Sequence, residues 1–513
     1  MTEGEGDSLK SELFSKTAFL YVSTFASAIF GYIALYFATR FIGSVNYGIV
    51  AFAISFVGIF TFVTDLGFGS AHTKKVSEGK DLQSCLSVFL LVRMFLIVIF
   101  VALVLGAMFV WEIVLGQGYE YPETHMIILI VLLYYIQISI TSVFTSTFLA
   151  QRDVLRSQTI TLFDVGSRAI TTLVVVAFGF GLVGLACTYV AEGAISLAVA
   201  LLLARKRLPR IRLAAIREPI FREYLGFAAP LALASVISPI AMYLDKVLIQ
   251  YSTNAVETGI YYGSQSLLSF YLALGAIVSW MIYPAISEIS IQRNGKEKIL
   301  KITSSTLRYF LLLTMPIMLF LIIFSKEILS IFLSAAFEPG AIAFSILAIG
   351  YTMGLLMSPF GSQMLGMGMS KLYAKYALIA IAINIILDIL LIPSNISVIT
   401  LLGLGKDGAA ISYLIRQIVL LSFFLISARK VIGFRAPAGI PNISAAAMAA
   451  VTLTYFLTGF MDISRFYDLV ALFMLNIGFF VCFAIAFRAI KKSEIRELLR
   501  LLRIKSLLQK PGI

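Results

Sequence analysis

The sequence predicts an all-α polytopic membrane protein of about fourteen transmembrane helices. They are expected to form two parallel six-helix lobes plus two extra C-terminal helices. Three observations predict this class. Hydrophobic residues make up 60% of the 513 and charged residues 13%, with a mean hydropathy of +0.96, whereas soluble domains run near half apolar and a quarter charged. Apolar runs recur at the ~20 residues that a ~30 Å bilayer core requires, and they are continuous rather than alternating, which argues against a barrel. Third, the pattern G-x-G-x-x-G-x-A-x-x-Y occurs twice, as GFGLVGLACTY at 179–189 and GLGKDGAAISY at 403–413, 224 positions apart.

The elements follow in order. Residues 1–16 form a polar N-terminus, and the apolar run after them is too long for the core of a cleaved signal. The N-terminal lobe, 17–204, is expected to hold spans at 17–41, 47–71, 84–111, 126–150, 160–179 and 184–204. A basic linker, RKRLPRIRLAAIREPIFRE, occupies 205–223. The C-terminal lobe, 224–428, is expected to hold spans at 225–249, 259–286, 302–324, 340–365, 373–393 and 407–428. The seventh, eighth and tenth of these spans contain proline or charge. Two further spans, 438–460 and 467–487, lie within 429–487 and outside the repeat. In the tail, 488–513, Ile495, Leu498, Leu499 and Leu502 make one apolar stripe among basic residues. That pattern predicts an amphipathic helix on anionic inner-leaflet lipid, and the linker is read likewise.

Lysine and arginine orient the chain. With both termini cytoplasmic in the plasma membrane, 31 of the 40 fall in inner segments; Arg40, Lys246, Lys326, Lys406 and Arg465 fall outside. Four more, Arg93, Arg168, Arg308 and Arg416, lie within spans. The bias fits the positive-inside rule. The net charge of +13 is dispersed over eight short segments, which speaks for lipid anchoring and against nucleic-acid binding. Cys85, Cys187 and Cys482 are scattered, and His72 and His125 stand alone, so neither a disulfide framework nor a metal site is expected. The sequence lacks a Walker A motif, so ATP hydrolysis is not expected. No cofactor is expected, and the chain is read as a monomer.

The repeated glycine pattern is not read as a nucleotide site. A dinucleotide fingerprint needs a preceding strand and a crossover unit, whereas each copy here joins two apolar spans. The glycines instead suit tight helix–turn–helix joints with close packing. The repeat extends further: VNYGIVAFAIS at 45–55 resembles VETGIYYGSQS at 256–266, aligning Gly48 with Gly259, and FLAQRDV at 148–154 parallels MLGMGMS at 364–370. Two halves of the same direction imply a parallel repeat about an axis normal to the membrane, enclosing a central cavity.

Four blocks, GSVNYG (43–48), DLGFGSA (65–71), LDKVLIQYSTNAVETGIYYGSQSL (244–267) and YPAISE (283–288), resemble the polysaccharide-export flippases of the multidrug/oligosaccharidyl-lipid/polysaccharide superfamily. The resemblance covers 14–430. It implies movement of an undecaprenyl- or dolichyl-linked oligosaccharide from the inner to the outer leaflet. It also implies a V-shaped cavity formed largely by spans one, two, seven and eight.

An ionisable group at mid-span costs roughly 2.5–3.5 kcal/mol on insertion scales, so each needs a partner or a wet cavity. A lipid pyrophosphate should meet cations, and a guanidinium fork suits its oxygens. Arg40 and Lys246 are therefore read as head-group contacts during release, with Asp245 steadying a cation; an interfacial snorkelling pair is the competing reading. Asp65 and Arg93 are read as a cytoplasmic loading site or as a structural ion pair, and Asp65 also as an ion-coupling candidate. Asp164 and Arg168, four apart, are expected to pair locally. Glu192 and Arg416 each lie eight residues beyond the third glycine of their copies. Glu192 is read as a proton or sodium site and Arg416 as an anion contact, unless each is satisfied within its own lobe. Asp388 with Asn384 is a further cation candidate, with polar helix packing as the alternative.

The expected function is alternating-access flipping of lipid-linked oligosaccharide, driven by a proton or sodium gradient or by membrane potential. A cation-coupled multidrug exporter and a peptidoglycan-precursor flippase are the nearest rivals. A membrane glycosyltransferase is disfavoured by short outer loops and the lack of an Asp-x-Asp motif.

Overall fold

The computed structural model describes residue 19 and residues 22–490, except 115, 117, 210–217, 397–398, 438, 460–462 and 464. The expected polar N-terminus, the middle of the basic linker and the amphipathic tail helix lie outside the described residues.

The described chain is almost wholly helical. In order it forms α1 (Val22–Ile42), α2 (Ser44–Ile59), α3 (Phe62–Asp65), α4 (Phe68–Ser77), α5 (Leu82–Phe109), α6 (Thr124–Ala150), α7 (Val154–Phe178) and α8 (Gly181–Arg207). Then come α9 (Glu218–Ser252), α10 (Ala255–Leu268), α11 (Phe270–Ser290), α12 (Gly295–Ile323), α13 (Ser325–Phe332), α14 (Ala341–Gly366), α15 (Ser370–Leu391) and α16 (Gly405–Ile432). The last two are α17 (Ile440–Thr458) and α18 (Phe466–Ala486). The strands β1 (Asn395–Ile396) and β2 (Ile399–Thr400) make one small antiparallel ladder before α16.

Local chemistry sets several boundaries. Asp81 begins α5 by accepting from Ser84 N at 2.9 Å, and Asn254 begins α10 by accepting from Glu257 N at 2.9 Å. Such caps satisfy helix donors that lack an intrahelical partner. Large apolar side chains such as Phe25, Val98 and Phe178 point outward, as expected of helices solvated by lipid on one side and packed on the other.

Among the described residues, eleven helices are long and apolar enough to cross a membrane, or twelve if one bent pair counts as a span. The expected count of fourteen is therefore not reached by length and composition. The seventh expected span falls on α9, and the eighth is divided between α10 and α11 at Ser269. The second span is the bent pair, Ser44–Ile59 with Phe62–Ser77, which meet at 41°.

A further break within the second member of that pair, at Leu66–Gly67, explains one of the sequence blocks. In DLGFGSA, Leu66 and Gly67 both take positive φ, +44° and +83°, ending α3 and starting α4. Asp65 then accepts from Gly67 N at 3.2 Å and from Gly69 N at 3.1 Å. A Cβ on Gly69 would lie 2.8 Å from the Asp65 carboxylate, so glycine is what leaves room for the cap. The same carboxylate receives Arg93 Nη2 at 2.7 Å, and Arg93 also donates to Thr64 O. Arg93 is 4% exposed and Asp65 40%. Asp65→Ala should lower stability by about 1–3 kcal/mol, because a buried guanidinium loses its counter-charge. Thermal melting in detergent checks this, and Asp65→Ala with Arg93→Leu should recover most of the loss if the pair serves packing alone.

Helices α1–α8 and α9–α16 make two groups in chain order, and α2 packs across both, on α9 and α10 as well as α6. In the first, α6 packs on α2, α5 and α8, and α7 on α8; in the second, α14 packs on α11, α12 and α16, and α15 on α16. The two glycine patterns occupy equivalent joints. Gly179 and Gly181 turn α7 into α8 with φ of +69° and +59°; Gly403 and Gly405 lead into α16 with +64° and +52°. The third glycine of each copy closes the joint: a Cβ on Gly184 would lie 2.9 Å from Val175, and one on Gly408 would lie 2.7 Å from Leu391 O. The first joint packs near the α1–α2 turn, since α7 and α8 both contact Ala38–Ile42. At the second, a Cβ on Gly405 would lie 3.3 Å from Thr253 at the end of α9. Both therefore sit at the end of the bundle that carries Gly43.

The groups meet most closely at that end. A Cβ on Gly48 of α2 would lie 1.8 Å from Ala255 O, and one on Gly259 of α10 would lie 2.3 Å from Ser44 O. The two glycines aligned by the repeat thus face one another across the seam. Glu120 reinforces it by accepting from Ala255 N at 2.8 Å and Gln250 Nε2 at 3.0 Å. At the opposite end, Glu223 of α9 receives Lys75 at 2.7 Å and Lys80 at 3.2 Å, and Tyr224 meets His72 Nδ1 at 2.9 Å.

Candidate functional site

Between the two groups lies a cavity of about 730 Å³. It is walled by α1, α2, α7 and α8 on one side and by α9, α10, α14, α15 and α16 on the other, a broader set than the four spans the sequence resemblance implies. Its lining is mixed. Hydroxyls and amides from Ser27, Ser238, Gln265 and Gln417 alternate with aromatic rings, and two guanidinium groups enter it, Arg168 from α7 and Arg416 from α16.

Each guanidinium is held in a similar way. Arg168 sits 5.5 Å over the Tyr189 ring and 3.6 Å from Glu192 Oε2. Arg416 sits 4.7 Å over the Tyr413 ring and donates to Asn384 Oδ1 at 3.3 Å. Tyr189 and Tyr413 close the two copies of the glycine pattern and so are equivalent in the repeat. Each half therefore presents one arginine, steadied on the matching tyrosine, to the same cavity. The arginines themselves come from non-equivalent helices. Tyr351 supports the second by stacking on Tyr413 at 5.1 Å.

Behind these arginines the two halves differ. In the first, Glu192 is 2% exposed, and Glu192 Oε2, Asp164 Oδ1 and Gln137 Oε1 are buried without a hydrogen-bond partner. In the second, Asn384 Nδ2 reaches both Asp388 oxygens at 3.2 Å and Ser412 Oγ at 2.6 Å. Asp388 is 1% exposed, and it lies 224 positions after Asp164, the offset of the repeat.

The sequence candidates divide accordingly. Arg416 lines the cavity directly, and Asp388 lies behind it through Asn384. Glu192 and Arg416 are each engaged within their own half, the alternative noted for them. Asp245 lines the cavity, but Lys246 Nζ lies 2.8 Å from its Oδ1, Tyr261 Oη donates to its Oδ2 at 2.9 Å, and Met242 O accepts from Lys246 at 2.6 Å. Lys246 is 2% exposed and lies off the cavity surface. Arg40 is elsewhere, donating to Ile331 O at 2.9 Å at the Gly43 end. Asp65 and Arg93 sit at the α3–α4 bend, away from the cavity.

Arg168 is the residue that sequence reasoning undervalued. Its i−4 neighbour Asp164 suggests a local pair, whereas the side chain crosses to Glu192 on α8. The 224 offset held a usable signal, since it places Asp164 on Asp388, Tyr189 on Tyr413 and Glu192 on Arg416.

Residues 13–290 match the family model of polysaccharide biosynthesis proteins. No curated protein sequence matches the chain. Among solved structures, the lipid II flippase MurJ in an inward closed conformation aligns with a TM-score of 0.73 at 19% identity, covering 91% of this chain and 99% of that one. An inward-facing multidrug resistance transporter of the MATE family aligns at 0.58 with 14% identity, covering 80% and 96%. At such identities the likeness is one of fold. With more than half of its length matched by the family model, this chain belongs to the polysaccharide biosynthesis protein family.

Proposed function

We propose that the protein is a transporter that flips a polyprenyl phosphate- or pyrophosphate-linked oligosaccharide from the inner to the outer leaflet of the plasma membrane. The observation that carries this reading is the presence of Arg168 and Arg416, one from each helix group, in a single cavity. Two planar cations facing one space suit the oxygens of a phosphate or pyrophosphate, and the surrounding hydroxyls and amides suit a glycan. Family membership and a fold shared with a described lipid II flippase support it.

The direction rests on charge. With 31 of 40 Lys and Arg residues on the inner side, the Gly43 end faces outward and both termini are cytoplasmic. Alternating access then consists of opening the Gly48–Gly259 seam outward and the Glu223 contacts inward. For ion coupling, Asp388 with Asn384 and Glu192, whose Oε2 has Arg168 beside it but no hydrogen bond, are proton or sodium candidates; Asp65 is assigned a structural role at the α3–α4 turn. Asp245 and Lys246 neutralise one another beside the cavity. A single chain supplies the whole cavity, so a monomer suffices.

Reconstituted vesicles test the reading directly. A fluorescent pyrophosphoryl isoprenoid oligosaccharide placed in one leaflet should cross only when the protein is present, and an ion gradient should set its rate. In cells, deletion should trap lipid-linked glycan on the inner leaflet. Normal surface glycan combined with increased drug sensitivity would instead favour a multidrug exporter.

A further inference from the structure

A second cavity, about 810 Å³, lies beside the first at the Gly43 end, between α1, α13 and the start of α18. Its walls include Phe37, Phe332 and Phe466, and two further guanidinium groups, Arg40 and Arg465, line it. Both arginines are exposed. Arg40 is fixed by its bond to Ile331 O and lies 5.6 Å over the Tyr36 ring. Arg465 donates to Tyr467 Oη, and its backbone N–H is capped by Asp468 Oδ2 at 3.0 Å.

Tyr32 and Leu35 line both cavities. Between the two spaces, Tyr32 Oη donates to Leu267 O at 2.5 Å, tying α1 to α10. The two cationic spaces are thus neighbours that share the Tyr32 and Leu35 side chains.

We propose that this second cavity is an outer-leaflet receiving site for the phosphate of an isoprenyl lipid, held by Arg40 and Arg465, and that the Tyr32–Leu267 bridge separates it from the transport cavity. The inference rests on the function proposed above for the direction of travel. Three features favour a lipid phosphate over a soluble anion. The groove walls are aromatic and aliphatic, two cations line it, and the adjoining surface exposes Phe41, Phe466 and Tyr467, a composition that suits the membrane interface. Guanidinium groups already anchored on carbonyl or hydroxyl oxygens keep further donors in a fixed fork for phosphate oxygens. The head group would leave the Arg168–Arg416 cavity as α1 parts from α10 and meet the second pair of cations while its chain stays in lipid.

The full-length protein in neutral phosphatidylcholine nanodiscs can be labelled with a photoreactive isoprenyl monophosphate, followed by peptide mapping and competition. Labelling is expected in 330–335 and 465–467 as well as in the transport cavity. Arg40→Ala with Arg465→Ala should weaken the first class about tenfold, the loss of one or two charge-assisted hydrogen bonds, and leave the second intact. Because both side chains are exposed, these changes leave no buried charge unpaired; Arg465→Glu gives an independent check and should act in the same direction. Tyr32→Phe should speed exchange of label between the sites. The proposal falls if the double variant labels like wild type, or if inorganic phosphate or phosphatidylglycerol competes as well as the isoprenyl phosphate. If groove labelling persists while oligosaccharide flipping is absent, the transport reading fails and the groove stands. If flipping is normal and groove labelling is absent, the reverse holds.

Discussion

Arg416→Ala should cut transport of a pyrophosphoryl lipid by about 10- to 150-fold, the effect of losing a charge-assisted contact of about 1.5–3 kcal/mol. Arg416 is the cleaner of the two cavity arginines to test. Its protein contacts are an amide oxygen at 3.3 Å and a tyrosine ring, so its removal strands no carboxylate in direct contact with it. Arg168 differs, because its loss leaves Glu192 buried without its cation, a change that costs about 3–5 kcal/mol and threatens folding. Arg416→Lys should retain part of the activity, since charge survives but the planar fork does not. Initial rates in reconstituted vesicles, normalised to folded protein, give the comparison. Equal rates for wild type and Arg416→Ala would remove Arg416 from substrate recognition.

Gly48→Ala and Gly259→Ala should shift the protein away from the conformation closed at the Gly43 end. The added methyl groups would meet backbone oxygens at 1.8 and 2.3 Å, and no side-chain rotation relieves a backbone clash. Overpacking of this kind costs about 1–3 kcal/mol, which corresponds to about a 5- to 150-fold change in a two-state equilibrium. After Cys85, Cys187 and Cys482 are replaced, a single cysteine at Ser44 should react faster with a membrane-impermeant thiol reagent in either glycine variant. Unchanged reactivity with unchanged transport would mean that the seam does not open during the cycle.

Much of the fold was legible in the letters. Composition alone marks a multi-pass membrane protein, and the two glycine patterns locate equivalent helix joints because only glycine tolerates both the positive φ and the close approach found there. The repeat aligns Gly48 with Gly259, and the folded chain brings the two face to face. Helix breaks were harder to read. The runs 47–71 and 259–286 look continuous by hydropathy, yet the first bends between Ile59 and Phe62 and breaks again at Leu66–Gly67, and the second is interrupted at Ser269. Hydropathy averages over some twenty residues, whereas a break is decided by one or two dihedral angles.

The sequence by itself determined the membrane environment, the asymmetry of charge and the repeated glycine pattern, because each depends on composition or on periodicity along the chain. The Asp65–Arg93 pair was among the sequence readings and is present in the structure, but tertiary structure decided the partners of most other charged groups. Arg40 bonds a carbonyl 291 positions away, Lys246 turns onto its neighbour Asp245, and Arg168 crosses to another helix for Glu192. A helical period fixes which residues share a face, but the face a helix turns toward its neighbours is settled only when all of them pack. An ionisable group removed from water then binds whatever donor or acceptor that packing brings within reach.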